Sequence, residues 1–317
     1  MGPIGRSWPV GVAGLFGALA LILPSASQAQ SGPGKSVPSF DHVFIVMMEN
    51  HTYGQVIGNH AGAPYINQLA GQFGVAANYF GVAHPSLPNY LALVGGDTFG
   101  ITDDCLSCFV SAQNLVVDRI AASGRTWRAY MEQLPSECFL GDAYPYAQRH
   151  NPFIYFDDIR TTGQCGNIVA FSSLAADLAS SATTADYIWI TPDVCHDTHD
   201  CSVTAGDSWL ASVVPEIINS PAYATQNSLL VITWDEDDHS QNNRVPTLVV
   251  ARSVPAGFVS NTKYDHYSLV RTIEEAWDLA PLTHNDAGAM PLSDFFAGTD
   301  ASAGMQLTPA PSADAGN

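Results

Sequence analysis

Ser86 stands in the run HPSLPNYLALVGG, where Pro88 suits the first turn of a helix and Gly95 and Gly96 suit its end. The hydroxyl therefore lies at or just before a helix N-terminus. There the free backbone N–H groups and the helix dipole favour both an alkoxide and phosphoryl oxygens, the setting of a phosphate-transfer nucleophile. An ordinary N-cap serine is the alternative. No GxSxG elbow occurs, so the serine-esterase route lacks its signature, and metal coordination is the other way to activate the hydroxyl.

Two acidic pairs offer hard oxygen ligands. Glu49–Asn50 follows the apolar run HVFIVMM, and Asp235–Glu236 follows SLLVITW. Carboxylates emerging side by side from buried strands are costly unless a cation compensates them, and Asp237 and Asp238 add to the charge. The run TPDVCHDTHDCS sets His196 and His199 three apart beside Asp197 and Asp200, a density suited to a metal or to acid–base work. His266 precedes a late amphipathic segment, with Asp265 as a reasonable N-cap. His150, next to Arg149, is a candidate phosphate contact or a structural residue.

The elements that must position these groups alternate. His42 to Met48 reads as a strand buried on both faces, Pro64 to Phe73 as a helix, Val75 to Phe80 as a strand, and Gln113 to Ala122 as a helix. Tyr187 to Thr191, Ser228 to Trp234 and Thr247 to Ala251 read as strands, Asp207 to Asn219 and Tyr267 to Leu279 as helices. Such alternation predicts an α/β fold with a mainly parallel central sheet sandwiched by helices. Ligands bind beyond the carboxyl ends of such strands, and the polar clusters fall at those ends, so they are expected to converge on one site.

Arg6, the apolar run Val10 to Leu23 and the small residues Ser25 to Ala29 make a secretory signal peptide over residues 1–29, with cleavage after Ala29. No later stretch is long and apolar enough to span a bilayer. Residues 30–38 and 298–317, rich in Gly, Ser, Pro and Ala, read as flexible ends around one domain over 39–297. Six cysteines in an exported chain point to disulfides, and nearness in sequence suggests Cys105–Cys108, Cys138–Cys165 and Cys195–Cys201. The formal net charge of −19 excludes nucleic acid and anionic membranes as binding surfaces. It also requires something cationic at a site for anionic substrates, for which a bound metal is the economical answer.

The segments FIVMMENHTY, HPSLPNYLAL, HDTHDCS, TWDEDD and YDHYSLVRTIEEAWDL together resemble the bacterial phosphoesterase family of secreted acid phosphatases and non-specific phospholipases C. The likeness spans Phe40 to Leu279 and is closest to the branch holding the mycobacterial secreted acid phosphatase. It implies an alkaline-phosphatase-like fold, a metal at the strand ends and a covalent phosphoenzyme. By motif, Glu49, Asn50, Ser86, Asp235 and Glu236 would be metal ligands, with Ser86 also the nucleophile. His84, His199 and His266 would bind phosphate or handle protons. Asp200 joins the expected ligands, and His150 and His196 the expected phosphate contacts. Calcium, magnesium, manganese or zinc all suit this mixed set. Asp237 and Asp238 stand where phospholipase C members often have glycines, which favours a monoesterase. The expectation is thus a secreted, metal-dependent acid phosphatase acting on small-molecule or lipid phosphate esters. Its rivals are a phospholipase C-like diesterase and a non-catalytic secreted protein that binds metal or phosphate.

Overall fold

Every residue of HVFIVMM is buried in β1 (His42–Met48), as a near-continuous β-branched and apolar run requires of a strand covered on both faces. The computed structural model describes residues 1–2 and 36–297. The rest of the expected leader, residues 30–35 and the tail from 298 lie outside the described residues. Packing begins earlier than the expected domain start at 39: Val37 is fully buried and Ser36 Oγ donates to Glu275.

The other strands are β2 (Gly74–Ala76), β3 (Tyr79–Phe80), β4 (Trp127–Met131), β5 (Ile168–Ala170), β6 (Tyr187–Thr191), β7 (Ser228–Trp234), β8 (Thr247–Val250), β9 (Phe258–Ser260) and β10 (Tyr264–Asp265). Eight form one sheet in the order β5-β4-β6-β1-β7-β8-β2-β9, in which only β8 runs against its neighbours. This is the expected mainly parallel α/β sheet. β1 lies between β6 and β7, aligned Val46 to Ile190 and Met48 to Trp234, so the acidic ends of three strands meet side by side.

Two expectations change in detail. The single strand predicted over Val75 to Phe80 divides: β2 joins the main sheet, whereas β3 pairs with β10 in a separate two-stranded ladder. The helix predicted over Gln113 to Ala122 is a π-turn over Leu115–Ile120 followed by a 3₁₀ turn over Ala121–Ser123. Asn114 caps its start by accepting the Val117 N–H, and the β-branched pair Val116 and Val117 lowers the preference for a regular helix.

The helix Ser86–Gly95 is buried along its whole length and ends where Gly96 turns left-handed at φ 70°. It packs against the helix His266–Trp277, whose N-terminus is closed by an Asp265–Ser268 capping box. The helices Pro64–Gln72 and Val203–Ile218 pack on each other. All three suggested cysteine pairs are disulfides.

Candidate active site

Ser86 is the first residue of its helix and is 2 % exposed. Asn89, one turn on, fixes the preceding loop: its Oδ1 accepts the N–H groups of Val82 and Ala83, and its Nδ2 donates to the carbonyls of Ala83 and Pro85. Ser86 Oγ lies 3.0 Å from Glu49 Oε2 and 3.4 Å from Glu236 Oε1. The hydroxyl is thus presented between acidic groups from the ends of β1 and β7.

Backbone bonds lock those strand ends together. Asp235 N–H donates to the Met48 carbonyl, Glu49 N–H to the Asp197 carbonyl, and Thr198 Oγ1 to the Glu49 carbonyl. The loop after β3 approaches so closely that a Cβ on Gly81 would stand 2.6 Å from the Asp235 carbonyl, so only glycine fits there. Asn50 adopts φ 54°, a left-handed conformation that Asn tolerates better than most residues, and its N–H reaches Asp235 Oδ1 at 3.3 Å.

Four buried carboxyls surround this point. Glu49 is pushed well up by burial and by Asp235 and Asp197. Burial is likewise the main cause that raises Asp197 and takes Asp235 to about 7. Glu236 reaches about 9 through burial, Asp235 and Asp104. Buried carboxylates in mutual repulsion call for a cation. Asn50 Oδ1 and Asp235 Oδ2 are buried and make no hydrogen bond, so the donor set fits a metal.

Tyr90 and Asp197 complete the arrangement; Asp197 belongs to the cluster that the sequence suited to a metal or acid–base work, whereas Tyr90 had no role assigned from the sequence. Tyr90 Oη donates to Glu49 Oε1 at 2.6 Å. Its position four residues after Ser86 is the helical spacing that puts both on one face, a signal legible in PSLPNY. His150 stacks on the Tyr90 ring, with Nε2 3.2 Å from Glu49 Oε1 and Nδ1 3.0 Å from Asp197 Oδ2. Burial holds its pKa well below the usual imidazole range.

The histidines divide differently from expectation. His84 is at the rim, 27 % exposed, with Nδ1 bonded to Glu236 and Nε2 3.5 Å from Asp237 Oδ1. Burial and the adjacent His239 lower its pKa, against the pull of Asp237. His199 is partly exposed, its Nδ1 bonded to Asp200 at 2.7 Å. His266 is fully buried, with Nε2 2.6 Å from the Asp235 carbonyl and Nδ1 3.2 Å from Tyr79 Oη. With both nitrogens engaged and its pKa lowered by burial to about 4, it braces the strand end rather than facing a substrate. His150 is likewise an inward residue rather than an open phosphate contact, because its 3₁₀ turn aims it at Glu49 and Asp197. His196 turns to Glu132, bonding it at 2.9 Å, and Asp200 is spent on His199 at an exposed position. The Cys195–Cys201 bridge closes this segment into a tight loop, which sends neighbouring side chains different ways.

A model of the Phosphoesterase family matches residues 59–280. The chain is 34 % identical over 262 residues to a phosphatidylinositol-3-phosphatase of Mycobacterium tuberculosis, covering 82 % of this chain and 84 % of that protein. It is 30 % identical over 264 residues to an acid phosphatase of Aspergillus fumigatus, covering 79 % of this chain but only 58 % of the fungal protein. Among solved structures, a protein of the alkaline phosphatase superfamily from Vibrio parahaemolyticus aligns at TM-score 0.56 and 8 % identity, over 80 % of this chain and 71 % of that one. A 2-O GAG sulfatase aligns at TM-score 0.52 and 12 % identity, over 82 % and 74 %. These two likenesses establish the shared fold, which is alkaline-phosphatase-like.

Proposed function

The chain belongs to the phosphoesterase family, and from that membership we propose that it hydrolyses phosphate monoesters, as an acid phosphatase does, with Ser86 as nucleophile. The observation that carries this reading is the Ser86 hydroxyl at the start of a buried helix, within 3.4 Å of carboxylate oxygens from two strand ends.

Ser86 Oγ attacks phosphorus, its proton passing to Glu49 or Glu236, which a cation held beside them would keep ionised, while the P–O bond to the alcohol breaks. Water then cleaves the phosphoserine and releases phosphate. His84, partly exposed and bonded to Glu236, suits delivery of a proton to the leaving alcohol. At the helix start the Leu87 N–H is taken by Asp104 and Pro88 has none, so the helix dipole rather than a row of N–H groups favours the phosphoryl oxygens. Glu49, Asn50, Ser86, Asp235 and Glu236 would hold a divalent metal, whether calcium, magnesium, manganese or zinc. Such an ion supplies charge that lowers the serine pKa and polarises the phosphoryl group. The leader-like residues 1–29 and the three disulfides support export.

The test is phosphate release from p-nitrophenyl phosphate and from its bis-ester, with and without EDTA and metal add-back. The relative named phosphatidylinositol-3-phosphatase makes a lipid-linked monoester the second substrate to offer. Monoester turnover lost in Ser86→Ala, by about 10³-fold or more, with the fold retained, is expected. Undiminished turnover in that variant refutes the assignment, and preference for the bis-ester replaces it with a diesterase.

A further inference from the structure

An acidic chain that binds an anionic ester has few cations to spare. Among the described residues, Arg119 and Arg252 close on backbone carbonyls. Arg125, Arg128, Arg160 and Arg271 pair with carboxylates. Arg244 bonds the Ala77 carbonyl beneath Tyr53, and Lys263 lies over Phe80.

Arg149 is placed differently. It stands next to His150 in the 3₁₀ turn Gln148–His150, but where His150 faces inward Arg149 is partly exposed at the rim, 21 % accessible. Its Nη2 lies 3.4 Å from His199 Nε2, and its Nε lies 3.7 Å from Asp104 Oδ2. Both neighbours lead back to the candidate site. Asp104 Oδ1 accepts the N–H of Leu87, the residue after Ser86, at 2.9 Å, and its charge is felt by Glu236. His199 N–H donates to Asp197 Oδ1 at 2.7 Å. His199 Nδ1 bonds Asp200 Oδ1 at 2.7 Å, and Nε2 is the ring nitrogen on the guanidinium's side.

A guanidinium has five donors in a planar fork that matches two phosphate oxygens. Here it has one long hydrogen bond and one loose ion pair, so most of its donors are uncommitted. We propose that Arg149 binds the phosphoryl oxygens of the substrate, with Asp104 as the carboxylate that competes with phosphate for the guanidinium. This rests on the phosphomonoesterase reading and adds to it a residue that decides affinity for the phosphate dianion.

The experiment measures KM for p-nitrophenyl phosphate, the inhibition constant of inorganic phosphate and the melting temperature of wild type, Arg149→Ala, Arg149→Lys and Asp104→Asn. Loss of charge-assisted hydrogen bonds raises KM and the phosphate inhibition constant together, by about 10- to 100-fold in Arg149→Ala, with partial recovery in Arg149→Lys. Asp104→Asn keeps an oxygen for the Leu87 N–H but removes the competing charge, and is expected to tighten phosphate inhibition. An Arg149→Ala protein that is less stable but has unchanged KM and inhibition constant overturns the proposal. So does an Asp104→Asn protein that binds phosphate more weakly than wild type. Should Arg149→Ala fail to fold, Arg149→Lys and Asp104→Asn decide by the same signs. Should wild type turn over no monoester, the enzymatic reading fails separately. Calorimetric phosphate binding then judges Arg149: weaker binding in Arg149→Ala or Arg149→Lys supports it, and equal binding or none in wild type overturns it.

Discussion

Replacing Glu274 by Gln should make the protein more stable, and increasingly so as pH rises. Glu274 and Asp286 are both fully buried and share one donor, the Leu282 N–H, at 3.1 Å from Glu274 Oε1 and 2.6 Å from Asp286 Oδ2. Two carboxyls so close do not both ionise. Burial alone would raise Asp286, but the Glu274 bond, Thr283 and two N–H groups outweigh it, so Asp286 keeps the charge below its usual range. Burial, and then Asp286, push Glu274 from 4.5 up to about 9. Between those values the folded state holds a proton that the unfolded state releases. Stability from this group is therefore complete below about 4.5, declines as pH rises, and is fully lost near 9. At pH 7 the loss is about 3 kcal/mol, from roughly 2.5 units at 1.36 kcal/mol each. Gln carries a permanent N–H donor for Asp286 and an oxygen for the Leu282 N–H, so up to about 3 kcal/mol is regained at pH 7 and very little near pH 4.5. Urea unfolding of both proteins at pH 5, 7 and 8.5 reads the difference directly. A gap between them that does not widen with pH refutes the shared-proton account. The contact also matters to the candidate site, because Thr283 Oγ1 and Asn285 Nδ2 both donate to the carbonyl of Gly96, which caps the far end of the Ser86 helix.

Two further outcomes are expected. Tyr90→Phe removes the hydroxyl that orients Glu49, a hydrogen bond to a charged group worth about 1.5–3 kcal/mol, and should weaken metal affinity by about tenfold or more in a titration of EDTA-treated protein. Affinity equal to wild type would show that Glu49 needs no such brace. Adding the preferred divalent ion to EDTA-treated protein at about 100 times its Kd should stabilise by about 2.7 kcal/mol and raise Tm by roughly 5–10 °C. Asp235→Asn should lose most of that rise, and a Tm indifferent to every divalent ion would remove the metal from the proposed function.

Much of this arrangement is legible residue by residue. The largely apolar runs at His42–Met48, Tyr187–Thr191 and Ser228–Trp234 coincide with β1, β6 and β7, since strands buried on both faces tolerate little polarity. Acidic residues immediately after such runs mark the carboxyl edge of the sheet. Shorter strands escaped because little distinguishes them: Ile168–Ala170 and Phe258–Ser260 are three residues long, and Val259 is half exposed. The division of Val75 to Phe80 between two ladders follows from partners more than 170 residues away, which no local pattern records.

The sequence by itself determined the kinds of chemistry available: a serine at a helix start, hard acidic ligands after buried strands, and a surplus of negative charge that asks for a cation. Periodicity suffices for that, because it fixes which element a residue occupies and at which end. Only the tertiary structure decided which side chains meet. In sequence His266, His196 and His199 are alike as imidazoles near acids, and His150 stands beside Arg149. They are separated by packing into a buried brace, a partner of Glu132, a rim residue facing Arg149 and an inward partner of Glu49. Orientation and burial belong to the sheet order and to the bridged loop after β6, and these set which charges are desolvated together.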